Sequence, residues 1–347
     1  MDIAKRFSSN PILRPADIKP SSKEMRIECL LNPGAFEFAG KTWLLLRVAE
    51  MPEQEEGKVS FSVYDEEGNI QIHKIDKSDP QLDISDSRII TYKGIDYLTT
   101  LSHFRLVCSE DGIHFQEPEG YPPLFGQGKL EAYGIEDCRV NQINETYYLT
   151  YTAVSSYGVG VGMITTKNWK DFDRKGLVLP PHNKDCALFE EKINGKYYAL
   201  HRPSSPQLGG NYIWIGESPD LVHWGNHKCI ATSREGMWDC ARVGAGASPV
   251  KTPEGWLEIY HGANDQHRYC LGALLLDLEN PSNVLARSEK PIMEPAAVYE
   301  RTGFFGNVVF TNGHIVKGDT LHMYYGASDE VICGAGFSIN EILNTLK

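Results

Sequence analysis

The string GIEDCR, Gly134 to Arg139, places two adjacent carboxylates, Glu136 and Asp137, just ahead of a guanidinium, Arg139. Side chains alternate between faces along an extended strand, so Asp137 and Arg139 are expected on one face and Glu136 on the other. Two chemistries fit this pattern. Asp137 can project into a cavity as a proton donor, its pKa raised by burial or by a second carboxylate, or it can form a structural ion pair with Arg139. A second string, HNKDCALF from His182 to Phe189, is followed by YALHRP, which carries His201 and Arg202. Lys184 offers a mobile point charge, Arg202 a rigid donor fork, and Asn183 and His201 hydrogen bonds, a set suited to a tetrahedral dianion. Charge-assisted bonds are each worth about 1.5–3 kcal/mol, so three or four hold a phosphate in a site open to water. A strand-end ion pair is the competing reading of Arg202.

YHGAND, Tyr260 to Asp265, and YYGASD, Tyr324 to Asp329, share a shape: an aromatic, a glycine that permits close backbone approach, and an acid a few residues on. A sugar needs that mixture, because the carboxylate accepts from hydroxyls while the aromatic covers the apolar ring face; plain turn glycines are the alternative. Asn32-Pro33-Gly34 and the later Arg47 are the corresponding pieces nearer the start of the chain. Trp214, Trp224, Trp238 and Trp256 read as sheet packing. No metal site is expected, since the eleven histidines are scattered without an HExxH string. PQLGGN, Pro206 to Asn211, lacks nucleotide-loop spacing and reads as a hairpin or rim loop.

These strings recur at the openings of short hairpin units. In the unit from Asp137 to Gly176, the segments DCRVNQI, ETYYLTYTAVS, GVGMITT and DFDRKG alternate as half-buried strands. Asn194-Gly195 marks a tight hairpin in the next unit, and DGIHFQ, KNWKDF and SPDLVHW take the same place in three units. Six openings are read, at Asn32, Asp86, Asp137, Asp185, Gly246 and Asn307. Repeats of this kind predict an all-β propeller forming one domain over residues 1–347. Glu50 to Gly57 and Asp76 to Ser87 are expected as surface loops, and only Ile339 to Leu346 as helix.

The 347 residues are 41% hydrophobic, enough for a sizeable core, and the net charge of -12 argues against a nucleic-acid partner. No run of 18 apolar residues and no apolar leader is present, which excludes a membrane partner and predicts a cytoplasmic protein. The eight cysteines form no CxxC pair, and Cys138, Cys186, Cys270 and Cys333 read as small buried hydrophobes.

Taken in order, NPILRP, NPGAF, GIEDCRV, PPHNKDCALF, GKYYALHRP, SPDLVHWG, GWLEIYHG, GALLLDLENP, NVVF and MYYGASD resemble glycoside hydrolase family 130, the β-mannoside phosphorylases and related β-mannosidases. The resemblance implies a five-bladed β-propeller, one fewer than the six openings read. It implies inverting attack of inorganic phosphate, a co-substrate with no further cofactor, on a terminal β-mannoside, giving α-mannose 1-phosphate. Asp137 matches the proton donor, while Asn183, Lys184, Arg202 and His261 resemble the phosphate-binding set. Asp329, with Asn32, Arg47, Asp185 and Tyr325, resembles the groups that hold the sugar. Cys138, Cys186 and Glu190 depart from the Pro, Ala and Pro common in relatives. The lysine and arginine favour phosphorolysis over hydrolysis by a β-mannosidase, and neutral glycans alone do not need two buried cations, which argues against a non-catalytic binding propeller. Overall likeness favours β-1,2 over β-1,4 links. Relatives form dimers and larger rings, so a homo-oligomer is compatible with the resemblance.

Overall fold

The computed structural model describes residues 2–86, 88–204 and 208–347. Among these the chain is almost wholly β, with short helices at Val298–Arg301 and Ile339–Asn344 and one 3-10 turn at Pro15–Asp17. No helix among them is long and apolar enough to cross a membrane.

Five antiparallel sheets follow one another. Sheet I pairs Met25–Phe38, Lys41–Pro52 and Leu101–Ser109. Sheet II is the meander Ile135–Ile143, Thr146–Ser155, Gly158–Thr166 and Asp173–Leu179. Sheet III runs Asn183–Leu188, Tyr197–Pro203, Ile213–Ser218 and Gly225–Ala231. Sheet IV pairs both Arg242–Gly244 and Val250–Thr252 with Gly255–Ala263, followed by Tyr269–Leu276 and Val284–Arg287. Sheet V joins Val309–Lys317, Thr320–Ala327 and Val331–Ser338 to Lys5–Arg6 from the start of the chain.

The opening expected at Asp86 does not begin such a sheet. Between Lys41–Pro52 and Leu101–Ser109 the chain leaves sheet I to form the hairpin Lys58–Tyr64 with Ile70–Asp76 and a small sheet of Leu82–Asp83, Ile89–Tyr92 and Ile95–Leu98. Leu101–Ser109 then returns to pair with Lys41–Pro52 in full register, Leu45 opposite Leu106. Strand patterning alone sees another hairpin here, because alternation reports pairing competence and not the partner. Sheet IV likewise opens at Arg242, ahead of the expected Gly246. Two polar stretches also differ from loops: Glu50 is wholly buried and accepts from Ser21, and Leu82–Asp83 is a strand. Ser87, and the Pro206 and Gln207 of the expected rim loop, lie outside the described residues.

Adjacent sheets bury apolar faces against each other. Phe36 and Phe104 of sheet I meet Tyr147, Leu149 and Trp169 of sheet II, with Phe36 and Trp169 stacked at 3.9 Å between centroids. Val161 and Met163 of sheet II pack on Leu188 and Ala199 of sheet III, and Phe189 beyond that strand meets Trp256 of sheet IV edge-on at 5.1 Å. Leu257 and Leu271 of sheet IV share a core with Leu321 and Met323 of sheet V, and Tyr324 of sheet V returns to Leu44 and Leu46 of sheet I. The inner strands are thus covered on both faces, which accounts for long buried runs such as Leu101–Ser109 and Gly255–Ala263 instead of strict alternation, while the fourth strands of sheets II and III stay largely exposed. Cys138, Cys186, Cys270 and Cys333 are buried in these layers as read from sequence.

Repeated local chemistry closes the hairpins. Ser109, Thr166 and Ser218 each end a third strand, and their hydroxyls accept from the backbone N–H three residues on, in Gly112, Trp169 and Leu221. Asp111, Asn168 and Asp220 then accept from two further N–H groups each. These polar turns satisfy donors that would otherwise be orphaned where the chain reverses. Asn194-Gly195 makes its tight turn with φ of 49° and 81°, as its type requires.

Candidate active site

Three sheets open with the same irregularity. The register jumps between Leu31 and Gly34, between Glu136 and Arg139, and between Lys184 and Ala187, so two residues on the first strand face one on the second. The first residue of each bulge, Asn32, Asp137 and Asp185, has a positive φ, of 32°, 50° and 53°. Asn and Asp tolerate that region better than other residues with a side chain, and a bulge re-aims the side chain it carries. The bulges bring the three polar side chains to the wall of one cavity of about 510 Å³, joined there by Arg47, Lys184, Arg202 and Asp329.

The bulge also overturns the strand-alternation reading. Glu136 and Asp137 do not oppose one another across the sheet; both carboxylates bind Arg47, whose Nη2 lies 2.8 Å from Glu136 Oε1 and Nη1 3.1 Å from Asp137 Oδ1. Asn32 Nδ2 donates a second bond to Asp137 Oδ1 at 3.0 Å, and Ser102 holds Arg47 Nε. Arg139 does not pair with the Asp137 carboxylate. It is buried and donates to the backbone carbonyls of Asp137, Ala245 and Gly246, with Nη2 3.3 Å from Asp185 Oδ1. Arg139 therefore braces the bulge of one sheet against the next two.

Asp185 is the hub of the basic side. Arg202 Nε donates to its Oδ2 at 2.5 Å, and His261 Nε2 lies 3.4 Å from the same oxygen. Gly244 makes room for this cluster, since a Cβ there meets Asp185 Oδ2 and the His261 ring. Gly326 does the same for Asn32 from sheet V. Arg202 Nη1 donates to Asn211 at 2.9 Å, leaving the far edge of its fork toward the cavity.

Burial pushes the Asp137 carboxyl up, but Arg47, Arg139, the Asn32 bond and Lys184 outweigh it and hold the group below the usual carboxylate range. The same balance, won by Arg202, His261 and Arg139, keeps Asp185 firmly ionised. Asp329 behaves oppositely: burial, with Asp137 and Glu136 nearby, raises it to about 6 against the pull of Arg47. Lys184 is lowered by burial and by Arg202, and His261 by burial against the pull of Asp185. The cavity thus holds two carboxyls of unlike affinity for protons beside a group of cations, an arrangement that can serve acid catalysis and anion binding together.

Of the residues expected at the site, Asn32, Arg47, Asp137, Lys184, Asp185, Arg202 and Asp329 line this cavity. Asn183 and His261 stand behind the wall: Asn183 Oδ1 is 3.1 Å from His201 Nδ1, and His261 is fully buried against Asp185 and Phe310. Tyr325 faces the interior of sheet V, where it is fully buried and its hydroxyl donates to Glu300 at 2.8 Å. The two look-alike strings also part company, for Asp329 is at the cavity while Asp265 is exposed beside Cys240.

Sequence reading missed Arg242, Tyr269, Arg88 and the aromatic wall of Phe304, Phe305 and Phe310. Arg242 donates from Nη1 to the Tyr269 hydroxyl at 3.0 Å, and its buried Nε has no partner. The signal was present: Arg242 opens the first strand of sheet IV, much as Lys184 stands second in that of sheet III, but the strand is only three residues long. Among the described residues no group of three or more His, Cys, Asp or Glu side chains is disposed to hold a metal ion.

Comparison with known proteins gives the family. The family model described as beta-1,4-mannooligosaccharide phosphorylase, that of glycoside hydrolase family 130, matches residues 77–347. The chain is 44% identical to a beta-1,2-mannobiose phosphorylase of Listeria innocua over 350 residues, covering 99% of this chain and 98% of that protein. It is 42% identical to a 1,2-beta-oligomannan phosphorylase of a Thermoanaerobacter species, over 70% of this chain and 80% of the relative. A solved structure of the Listeria innocua enzyme in complex with beta-1,2-mannobiose superposes with a TM-score of 0.94 at 43% identity, covering 99% of both chains. The chain belongs to glycoside hydrolase family 130.

Proposed function

We propose that this protein is an inverting phosphorylase of terminal β-mannosides, with β-1,2-linked mannobiose and short oligomannosides as substrates. The observation that carries this reading is one cavity in which Asp137 and Asp329 stand beside Lys184, Arg202 and Arg242. Identity above 40% to β-1,2-specific relatives, against 30% to the beta-1,4-mannooligosaccharide phosphorylase of Ruminococcus albus, supports the linkage. The five sheets and their neighbour contacts are read as the blades of a five-bladed propeller forming one domain, with Lys5–Arg6 closing the last blade.

In this reading the mannosyl unit sits between Asp137 and Asp329, with Asn32 and Arg47 steadying Asp137. Phosphate lies against Lys184, Arg202 and Arg242, whose unpartnered Nε points to an anion. Asp185, backed by His261, holds Arg202 in place, so these two act on the anion site through their neighbour, while Asn183 bonds His201, whose other ring nitrogen meets His227, and stands outside that site. Attack of a phosphate oxygen on the anomeric carbon breaks the bond to the glycosidic oxygen, and Asp137 supplies the proton that oxygen takes. The hydrogen carried in on phosphate restores the acid, so no second carboxylate is needed to activate water. Phosphate also solves the protonation problem. Its charge offsets Lys184 and the neighbouring arginines, which lets Asp137 keep a proton in the loaded site that it loses in the empty one.

The deciding experiment incubates the protein with β-1,2- and β-1,4-mannobiose, with and without inorganic phosphate, and identifies the products. Mannose 1-phosphate from the β-1,2 disaccharide is expected. Free mannose without phosphate dependence would instead mark a hydrolase.

A further inference from the structure

A second concavity of about 580 Å³ adjoins the active cavity, the two being lined by neighbouring residues of the same chain segments. The register places it there. Ile135, just ahead of Asp137, pairs with Ala153, and the hairpin that follows turns at Ser155 opposite Gly158. Ser155, Ser156, Tyr157 and Gly158 line the groove, while Val159 lines the cavity. Two other segments divide in the same way: Arg88 faces the cavity and Ile89 the groove, and Lys184 faces the cavity and His182 the groove. Three chain segments are therefore shared between the two spaces, each giving neighbouring residues to both.

The lining is that of a saccharide site. Tyr157 is 63% exposed although no ordinary packing demands an aromatic there. Tyr97 and Tyr133 stand 5.5 Å apart across the groove wall, and Asp96, fixed by a bond from Thr91, supplies a carboxylate at the edge. Tyrosines cover the apolar faces of sugar rings and bond their hydroxyls, and pockets of this volume are ordinary for ligands of a few rings. The far wall is the small sheet of Leu82–Asp83, Ile89–Tyr92 and Ile95–Leu98, which packs through Ile90 and Tyr97 on Phe61 of the neighbouring hairpin.

We infer that this groove binds the mannosyl units of longer β-mannosides beyond the two that flank the cleaved bond, with Tyr157 as the stacking platform, so that it sets chain-length preference. This rests on the proposed phosphorolysis for its kinetic test but not for its binding test. β-1,2-Mannobiose, -mannotriose and -mannotetraose are compared as substrates of the wild type, Tyr157→Ala and Tyr157→Phe. Loss of the ring is expected to raise KM for the tetraose roughly two- to tenfold, the worth of one aromatic contact. The disaccharide constants stay unchanged and Tyr157→Phe keeps most of the affinity. An equal loss at every length, or none at any length, overturns the assignment. Calorimetric titration without phosphate gives the independent arm: the tetraose binds the wild type more tightly than the disaccharide, and Tyr157→Ala removes that difference. If the wild type yields no sugar phosphate, the proposed reaction fails, and the groove is decided by this titration alone.

Discussion

Replacing Asp137 by Asn isolates the proton from everything else the residue does. Asparagine tolerates the φ of 50° that the bulge imposes, and its amide oxygen can still accept from Asn32 and Arg47. Arg47 keeps Glu136 and Ser102 as partners. The structural cost is therefore limited to weakening two charge-assisted bonds, about 1–2 kcal/mol. The chemical cost is larger. A positioned general acid contributes about 100- to 10,000-fold, equivalent to about 2.7–5.4 kcal/mol of barrier. Phosphorolysis of β-1,2-mannobiose is expected to fall by that factor while the melting temperature drops by only about a few degrees and the KM for phosphate holds. Dinitrophenyl β-mannoside provides the control, because dinitrophenolate departs without a proton and its rate should fall far less. A variant within about threefold of wild type on mannobiose would refute the role, given the size expected of such a group. An equal loss on both substrates would show that Asp137 binds sugar without protonating anything.

Arg202→Ala is expected to raise KM for phosphate by about 10- to 150-fold, the equivalent of one charge-assisted bond, with a smaller change for the saccharide; steady-state kinetics in both substrates reads it. The alkaline limb of the pH-rate profile, where the proton donor is lost, should lie at higher pH under saturating phosphate than without it, because in the absence of phosphate Arg47, Arg139 and Lys184 hold Asp137 low. Glu258 is fully buried, accepts from the Gly246 N–H through one oxygen, and is pushed up by burial to about 8. Its folded pKa lies above the unfolded value, so the folded state binds more protons between the two, and this penalty on stability grows as pH rises toward 8 and then levels off. Glu258→Gln should therefore gain in melting temperature over wild type between pH 5 and 8, and no further above it. Trp169→Ala, which removes the ring stacked on Phe36 between sheets I and II, should destabilise by about 3–5 kcal/mol in denaturant unfolding.

The hairpin grammar of sheets II to V was legible because each strand pair is local and its turn chemistry is written in adjacent residues, as in Asn194-Gly195 and the Ser218-Asp220 turn. Sheet I was misread because its third strand returns after an excursion of nearly fifty residues, and no local pattern states which partner a strand will choose. The polar strings of the site were legible for the same reason as the turns, being runs of residues with no packing use. Arg242 escaped because its strand is too short to show a period, and Tyr157 because a lone tyrosine in a hairpin has an ordinary structural reading.

The sequence by itself determined the fold class, the family and the inventory of charged groups, because these depend on residue type and near-neighbour spacing. Tertiary structure decided which charges meet. Three bulges turn Asn32, Asp137 and Asp185 out of strand alternation, give Asp137 to Arg47 and not to Arg139, and leave Asp185 to gather Arg202, Arg139 and His261. They do so because, Arg202 apart, the partners come from different sheets, and a pairing across sheets is set by packing geometry that no single strand contains.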